Sequence, residues 1–356
     1  MVLDDPGGIA RLDAAGMLGL IGRVGSMVSE GWSLTADLAP PATPPAAVVV
    51  CGMGGSGIAG EVLQALLADR IPVPVLSVKD ERIPSSVDAR TWFFACSYSG
   101  ETEETLAAYE QACRRQAEVV AVASGGRLAD LAGRRGHPVV RVPAGLPPRA
   151  ALPYLLVPMV RLVARACGGG AEAEEEMRRQ VDEAARLLED LTARWGPAVP
   201  VSSNPAKALA VTLEGAIPVV YAGSASMAPT AQRWKTQFNE NSKVFAAWNA
   251  FPEFTHNEIV GWEGVTAGGP PFHVVFLRDR EDGAANARRL EAARERLVGR
   301  ARGASEVWSH GVGRLARMLS LILLGDYVSA YLAVVRGVDP TPIEAIQAIK
   351  QRLARP

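Results

Sequence analysis

The chain has 356 residues, of which 48% are hydrophobic and 21% charged, and its formal net charge is -1. That is length enough for two domains that each bury a core, and the composition excludes a disordered or fibrous chain. With no basic excess to neutralise a phosphate backbone, nucleic acid is not an expected partner.

In chain order, residues 1–40 read as a helical lead-in that ends in the Pro-rich break Ala39 to Pro45. The first residues are acidic and lack a basic-then-apolar leader, so a cytoplasmic protein is expected. A βα series follows. Ala46 to Cys51 is a strand, Gly52 to Gly57 a glycine-rich turn and Ile58 to Ala68 a helix; Val73 to Val78 and Thr91 to Ser97 are strands, the latter running into a polar turn. Thr102 to Arg114 is a helix, and Val119 to Ala123 and Pro138 to Val142 complete the strands. Strands without polar alternation, interleaved with helices, predict a parallel sheet covered on both faces. The apolar runs Leu152 to Cys167 and Met318 to Val335 are interrupted by charge, so they predict core helices and no membrane partner.

After Gly168-Gly169-Gly170 comes an acidic helix, Ala171 to Ala193, and then the pattern restarts. Ile217 to Gly223 is a strand ending on Ser224-Ala225-Ser226, Thr230 to Asn239 a helix, and Val244 to Trp248 and His273 to Leu277 strands. Asp282 to Arg300 and Gly313 to Val335 are helices, and a last helix from Pro342 to Leu353 starts at a proline, as N1 positions favour. The expected fold is α/β: two doubly wound, mainly parallel-sheet domains with flanking helices. The expected segments are 1–40 (lead-in), 41–167 (first domain, phosphate-binding), 168–200 (connecting helix), 201–336 (second domain) and 337–356 (C-terminal helix).

Gly52-Met53-Gly54-Gly55-Ser56-Gly57 is a literal GxGxxG, and Asp80 stands near the end of the following strand, which satisfies a loose dinucleotide fingerprint. A phosphate monoester would use the same device, glycines that admit an anion to a helix start. The second motif, Ser97-Tyr98-Ser99-Gly100-Glu101-Thr102, favours the monoester. Its hydroxyls can converge on one anion, whose three terminal oxygens need many donors. The alternative is that Ser99 or Thr102 simply caps a helix.

The runs GMGGSGIAGE and SYSGETEETL resemble the sugar isomerase (SIS) domain. FNENSK, HNEI and the C-terminal lysine resemble the bifunctional phosphoglucose/phosphomannose isomerase family, and the likeness extends from about residue 12 to the C-terminus. The resemblance implies that Gly54, Gly55, Ser56, Ser97, Ser99, Thr102 and Arg149 hold the phosphate and sugar. Arg149 lies in PPRAALPY, where a surface arginine in a Pro-rich loop is the competing reading.

Aldose–ketose isomerisation needs a proton moved between O5 and O1 to open the ring, and a base that carries a proton between C1 and C2. Glu240, between Asn239 and Asn241, is a solvated charge or a base by its chemistry; the resemblance makes it the base. His256 stands beside Asn257 and Glu258, a setting suited to fixing its tautomer, whereas His137, His273 and His310 fall in segments that read as structural. The resemblance places His256 across the interface of a homodimer, and gives Lys350 a part in ring opening. One departure is Thr255, where the family commonly has asparagine.

No HxxxH or HExxH spacing occurs, so no metal is expected, and the resemblance calls for no cofactor. Of the 37 basic residues only five are lysine, which raises Lys235, Lys243 and Lys350 as positions where a compact ammonium is needed. Cys51, Cys96, Cys113 and Cys167 lack CxxC spacing and read as buried thiols. Two other readings stand beside the isomerase: a non-catalytic sugar-phosphate regulatory protein, which Glu240, His256 and Lys350 together disfavour, and a nicotinamide-dependent oxidoreductase.

Overall fold

The computed structural model describes residues 2–41, 43–266 and 269–353. Ala42 of the Pro-rich break and residues 354–356 of the last expected segment lie outside the described residues. The lead-in is broken into short helices, Pro6–Leu12, Met17–Gly22 and Val24–Ser33.

The first sheet holds β1 (Ala47–Cys51), β2 (Val75–Val78), β3 (Thr91–Cys96), β4 (Glu118–Ala123) and β5 (Val139–Arg141). All pairs are parallel and the order is β2-β1-β3-β4-β5. The central strand β3 is buried at every residue, which is why it reads as an unbroken apolar run. Val49, Phe93 and Ala121 from the sheet pack with Leu106, Tyr109 and Leu128 in one core. The order reverses between β1 and β3, so the crevice outside their carboxyl ends is where such a sheet takes a ligand.

The second sheet holds β6 (Ile217–Ala222), β7 (Ala247–Ala250), β8 (Phe272–Arg278) and β9 (Gly303–Trp308), all parallel in the order β7-β6-β8-β9. Tyr221, Phe254, Phe276 and Leu290 form its core. Chain contacts group the described parts of Arg23–Glu189 and His310–Ser320 around the first sheet, and those of Met1–Gly22, Asp190–Ser309 and Leu321–Pro356 around the second. The units therefore interleave in sequence, unlike the contiguous segments expected.

Several elements differ from expectation. The helix after β1 starts at Gly54 rather than Ile58, so the glycine turn is its first turn. β7 begins at Ala247 because Lys243 takes a left-handed conformation (φ 54°, ψ 41°) and delays the strand. The helix expected over 230–239 begins at Ala228 and passes into a π-helical turn, Phe238–Ser242. The last helix begins at Glu344, with Pro342 ahead of it. Helices Gly126–Arg134 and Pro205–Thr212 and strand β9 had no counterpart in the sequence reading.

Two helices, Pro148–Cys167 and Arg314–Val335, have the length and hydropathy of a membrane span, yet 78% and 94% of their most apolar windows are buried within the fold. Burial pushes the thiols of Cys51 and Cys96 up to about 12 and that of Cys167 to about 11, which makes them unreactive. Cys113 is only half-buried.

Candidate functional site

At the first sheet, β1 delivers the chain to Met53, after which Gly54 at φ +52° opens the helix Gly54–Leu67 without a side-chain cap. Its first N–H groups consequently face the crevice. Gly55 cannot carry a side chain: a Cβ there would lie 2.8 Å from the carbonyl oxygen of Pro148 and 3.3 Å from Cα of Arg149. The missing methyl lets the Arg149 loop lie on the glycine turn. Arg149 is 3% exposed, so the surface-arginine reading fails.

The hydroxyl turn follows β3. Thr102 occupies the N-cap of the helix Glu103–Arg114, but its side chain makes no cap hydrogen bond. Its hydroxyl instead stands 2.8 Å from that of Ser97, which accepts the Gly100 N–H at 3.1 Å. The capping alternative thus fails for Thr102. Ser99 accepts the Glu101 N–H at 3.2 Å, and Ser56 accepts the Tyr98 N–H at 3.2 Å, joining the two turns. Tyr98, which the sequence reading passed over between its serines, is the brace: its hydroxyl donates to the Pro143 carbonyl at 2.9 Å and accepts the Leu146 N–H at 2.7 Å. It thereby holds the segment that leads to Arg149.

Asp80, the acid of the loose dinucleotide fingerprint, is exposed and engaged locally. Its carboxylate accepts the N–H of Arg82 at 3.0 Å in a local turn, and its carbonyl receives the Cys51 thiol at 3.7 Å.

In the second-sheet unit, Glu240 sits in the π-turn after the helix Ala228–Gln237. π-turns inside helices concentrate at functional sites. This one is pinned from below: Asn241 donates to the Ser329 hydroxyl at 3.0 Å and Ser242 to the Ser329 carbonyl at 2.6 Å. The buried Arg233 grips Asp326 with two bonds, 3.2 and 2.8 Å. Lys243 closes the turn, its Nζ donating to the carbonyls of Glu240, Asn241, Asp339 and Pro340 at 2.7–3.2 Å. In the sequence this residue was marked by the scarcity of lysine and by its place at the end of the FNENSK run.

Glu240, Asn239 and Lys243 line a cleft of about 640 Å³ whose other wall includes Asp339, Ile343 and Ile346. Lys350 is exposed on the helix Glu344–Leu353, one turn past Ile346 and on the same face, outside the cleft lining. The structure thus brings Glu240 and the helix bearing Lys350 to one cleft. His256 is not among the residues lining it.

His256 ends a 3₁₀ turn, Glu253–His256, and is exposed. The expectation that Asn257 and Glu258 fix its tautomer is corrected. Glu258 accepts from the Tyr221 hydroxyl at 2.5 Å and from Asn249 at 2.6 Å, and Asn257 donates to Glu253 and accepts the Glu258 N–H. Glu258 is spent on holding the loop to the sheet and Asn257 on bonds within the loop, with Trp262 adding a bond to the Tyr221 hydroxyl at 2.9 Å. His137 and His273, by contrast, are engaged with Tyr109 and Ser305, each at 2.9 Å.

A glycine turn and a hydroxyl turn at the switch point of one parallel sheet, with a second parallel-sheet α/β unit in the same chain, mark a protein of the SIS class. Residues 202–353 match the family model for the bacterial phospho-glucose isomerase C-terminal SIS domain. A bifunctional phosphoglucose/phosphomannose isomerase from Caldicellulosiruptor bescii is 41% identical over 307 residues, which cover 86% of this chain and 89% of that protein. One from Thermoplasma volcanium is 36% identical, covering 86% of this chain and 91% of that protein. The crystal structure of a glucose-6-phosphate isomerase like protein from Thermus thermophilus shares the fold, with TM-score 0.62, 22% identity and 98% of each chain covered. The chain belongs to the bifunctional phosphoglucose/phosphomannose isomerase family.

Proposed function

We propose that the chain interconverts glucose 6-phosphate and mannose 6-phosphate with fructose 6-phosphate through an enediol. The observation that carries this reading is the hydroxyl turn. Thr102 forgoes its capping role and pairs with Ser97, Ser56 is tied to the same turn, and all of it lies at an uncapped helix start. Such donors suit a terminal phosphate, with Gly54, Gly55, Ser99 and Arg149 completing the grip.

In this reading Glu240 removes the C2 proton of the aldose and returns it to C1. The π-turn and its Lys243 staple support that role, because they fix the backbone that carries the carboxylate at the edge of a cleft with sugar-sized room. His256 and Lys350 exchange the ring-opening proton between O5 and O1. The exposure of His256, and its lack of a side-chain hydrogen bond among the described residues, support a homodimer in which it reaches the active site of a second copy. The proposed reaction needs neither metal nor cofactor.

A coupled assay tests the proposal: both aldose phosphates should form fructose 6-phosphate, with activity indifferent to chelators. Tight binding of the sugar phosphates with no turnover would favour the regulatory reading instead.

A further inference from the structure

The second sheet repeats the geometry of the first with one change of chemistry. Its order reverses between β6 and β8, as the first reverses between β1 and β3. β6 runs into Gly223-Ser224-Ala225-Ser226 where β1 runs into the glycine turn. β8 runs into Asp279–Asp282 and the helix Gly283–Leu297, where β3 runs into Ser97–Thr102 and the helix Glu103–Arg114. The N-cap residues are Asp282 and Thr102, and neither side chain caps its helix.

Thr102 turns to Ser97. Asp282 folds back over the β6 turn, so closely that a Cβ on Gly223 would lie 2.3 Å from its Oδ2. That oxygen accepts the Asp279 N–H at 2.9 Å and the Arg278 Nε at 3.4 Å, and the Ser224 hydroxyl lies beside the carboxyl. Ser224 and Ser226 stand 3.1 Å apart. Asp282 is 6% exposed, and its Oδ1 has no hydrogen-bond partner among the described residues. A backbone N–H, a guanidinium and hydroxyls gathered at the end of a strand and the start of a helix are what a bound phosphate would collect. Here they surround a carboxylate, although burial holds that carboxyl above its usual range.

We propose that Asp282 is an internal anion that fills the phosphate position of the second sheet, so that the chain takes phosphate at only one of its two strand-end turns. The inference goes beyond the isomerase reading: the placing of Asp282 does not depend on it, while the phosphate at the first turn rests on it. Its consequence is exclusive orientation: a sugar phosphate has no second seat to bind in unproductively.

Inorganic phosphate is the probe. Wild-type crystals soaked in phosphate should show no phosphate over Gly223, and titration calorimetry should count no site there. Asp282→Ser, which leaves a short hydroxyl as in the first turn, should add a second-sheet phosphate and raise the stoichiometry by one per chain. Phosphate over Gly223 in the wild-type protein overturns the proposal, as does a folded Asp282→Ser that gains none. If the serine variant does not fold, the wild-type soak still decides. Phosphate missing from the first turn would strike the sugar-phosphate reading and leave the placing of Asp282 standing.

Discussion

The hydroxyl turn of the first sheet and the π-turn of the second solve opposite problems. In Ser97–Thr102 the short hydroxyl side chains bond mainly to one another and to local amides, while Tyr98 within the turn does the bracing. Phe238–Ser242 is built by constraint: a rare backbone shape, a left-handed Lys243 after it, and side chains tied into the helix below. A group that must grip many oxygens benefits from hydroxyls that can rotate. A carboxylate that must carry a proton between adjacent carbons benefits from being held in one place. The comparison divides binding from chemistry, and that division can be broken by experiment.

The largest effect belongs to Glu240→Gln, which keeps shape and loses basicity. General-base contributions run to roughly 10²–10⁴-fold, so turnover of both aldose phosphates should fall together by that much, along with solvent deuterium exchange into fructose 6-phosphate. Affinity for 6-phosphogluconate, read by calorimetry, should survive. If only one activity is lost, Glu240 is not the common base.

Ser97→Ala should do the reverse. A hydrogen bond to a charged group is worth about 1.5–3 kcal/mol, or roughly ten- to a hundredfold in affinity, and the loss should appear in KM and in phosphate binding more than in kcat. The sharpening control is Ser224→Ala in the second sheet, which should leave KM unchanged. Equal effects from the two serines would erase the distinction between the turns.

Lys243→Met keeps the length of the side chain and removes the ammonium. Losing its carbonyl partners should cost about 1–3 kcal/mol of stability in urea titration and lower kcat while phosphate affinity holds. An unchanged kcat would mean that the π-turn does not need its staple to place Glu240.

The smallest effect is on pH-dependent stability. Burial first, and Arg302 second, hold His273 below the ordinary imidazole value of 6.5. Its folded-state pKa is lower than its unfolded one, so the unfolded chain binds more protons in the window beneath 6.5. Stability is then full above that value and is lost as the pH falls through it. His273→Gln should flatten that part of the urea-midpoint profile; an identical profile in the variant would assign the acid loss to another group.

The inner strands of the first sheet, β1, β3 and β4, were legible because each is buried along nearly its whole length, and all five are bounded by turn residues. β9 was not, since it alternates mostly half-buried and exposed positions at a sheet edge, and β7 was displaced by a backbone turn at Lys243 that lysine seldom adopts. Of the candidate site, the glycines and hydroxyls carry a short-range signature. Tyr98 and Asp282 do not, because their roles depend on partners 45 and 59 residues away, Pro143 and Gly223. Asp282 in particular looks like an ordinary acid at a helix start until its carboxylate is seen over the other turn. The setting of His256 was misread for a related reason: Asn257 and Glu258 are its neighbours in sequence, but their hydrogen bonds go to Glu253, Tyr221 and Asn249.

In the language of coordination chemistry, Nζ of Lys243 sits as a bound monovalent cation would, with four carbonyl oxygens at 2.7–3.2 Å. The difference is that this cation is covalently attached and cannot be diluted away. Where a loop folded around potassium would loosen in a sodium or ion-poor buffer, this one carries its counter-charge as part of its own sequence. Its shape is therefore decoupled from the ionic composition of the solution. A planar guanidinium, with its donors spread in a fork, could not stand at the single point where the four carbonyls meet. In a chain whose basic residues are otherwise nearly all arginine, a lysine at this position supplies the compact ammonium that the four carbonyls need.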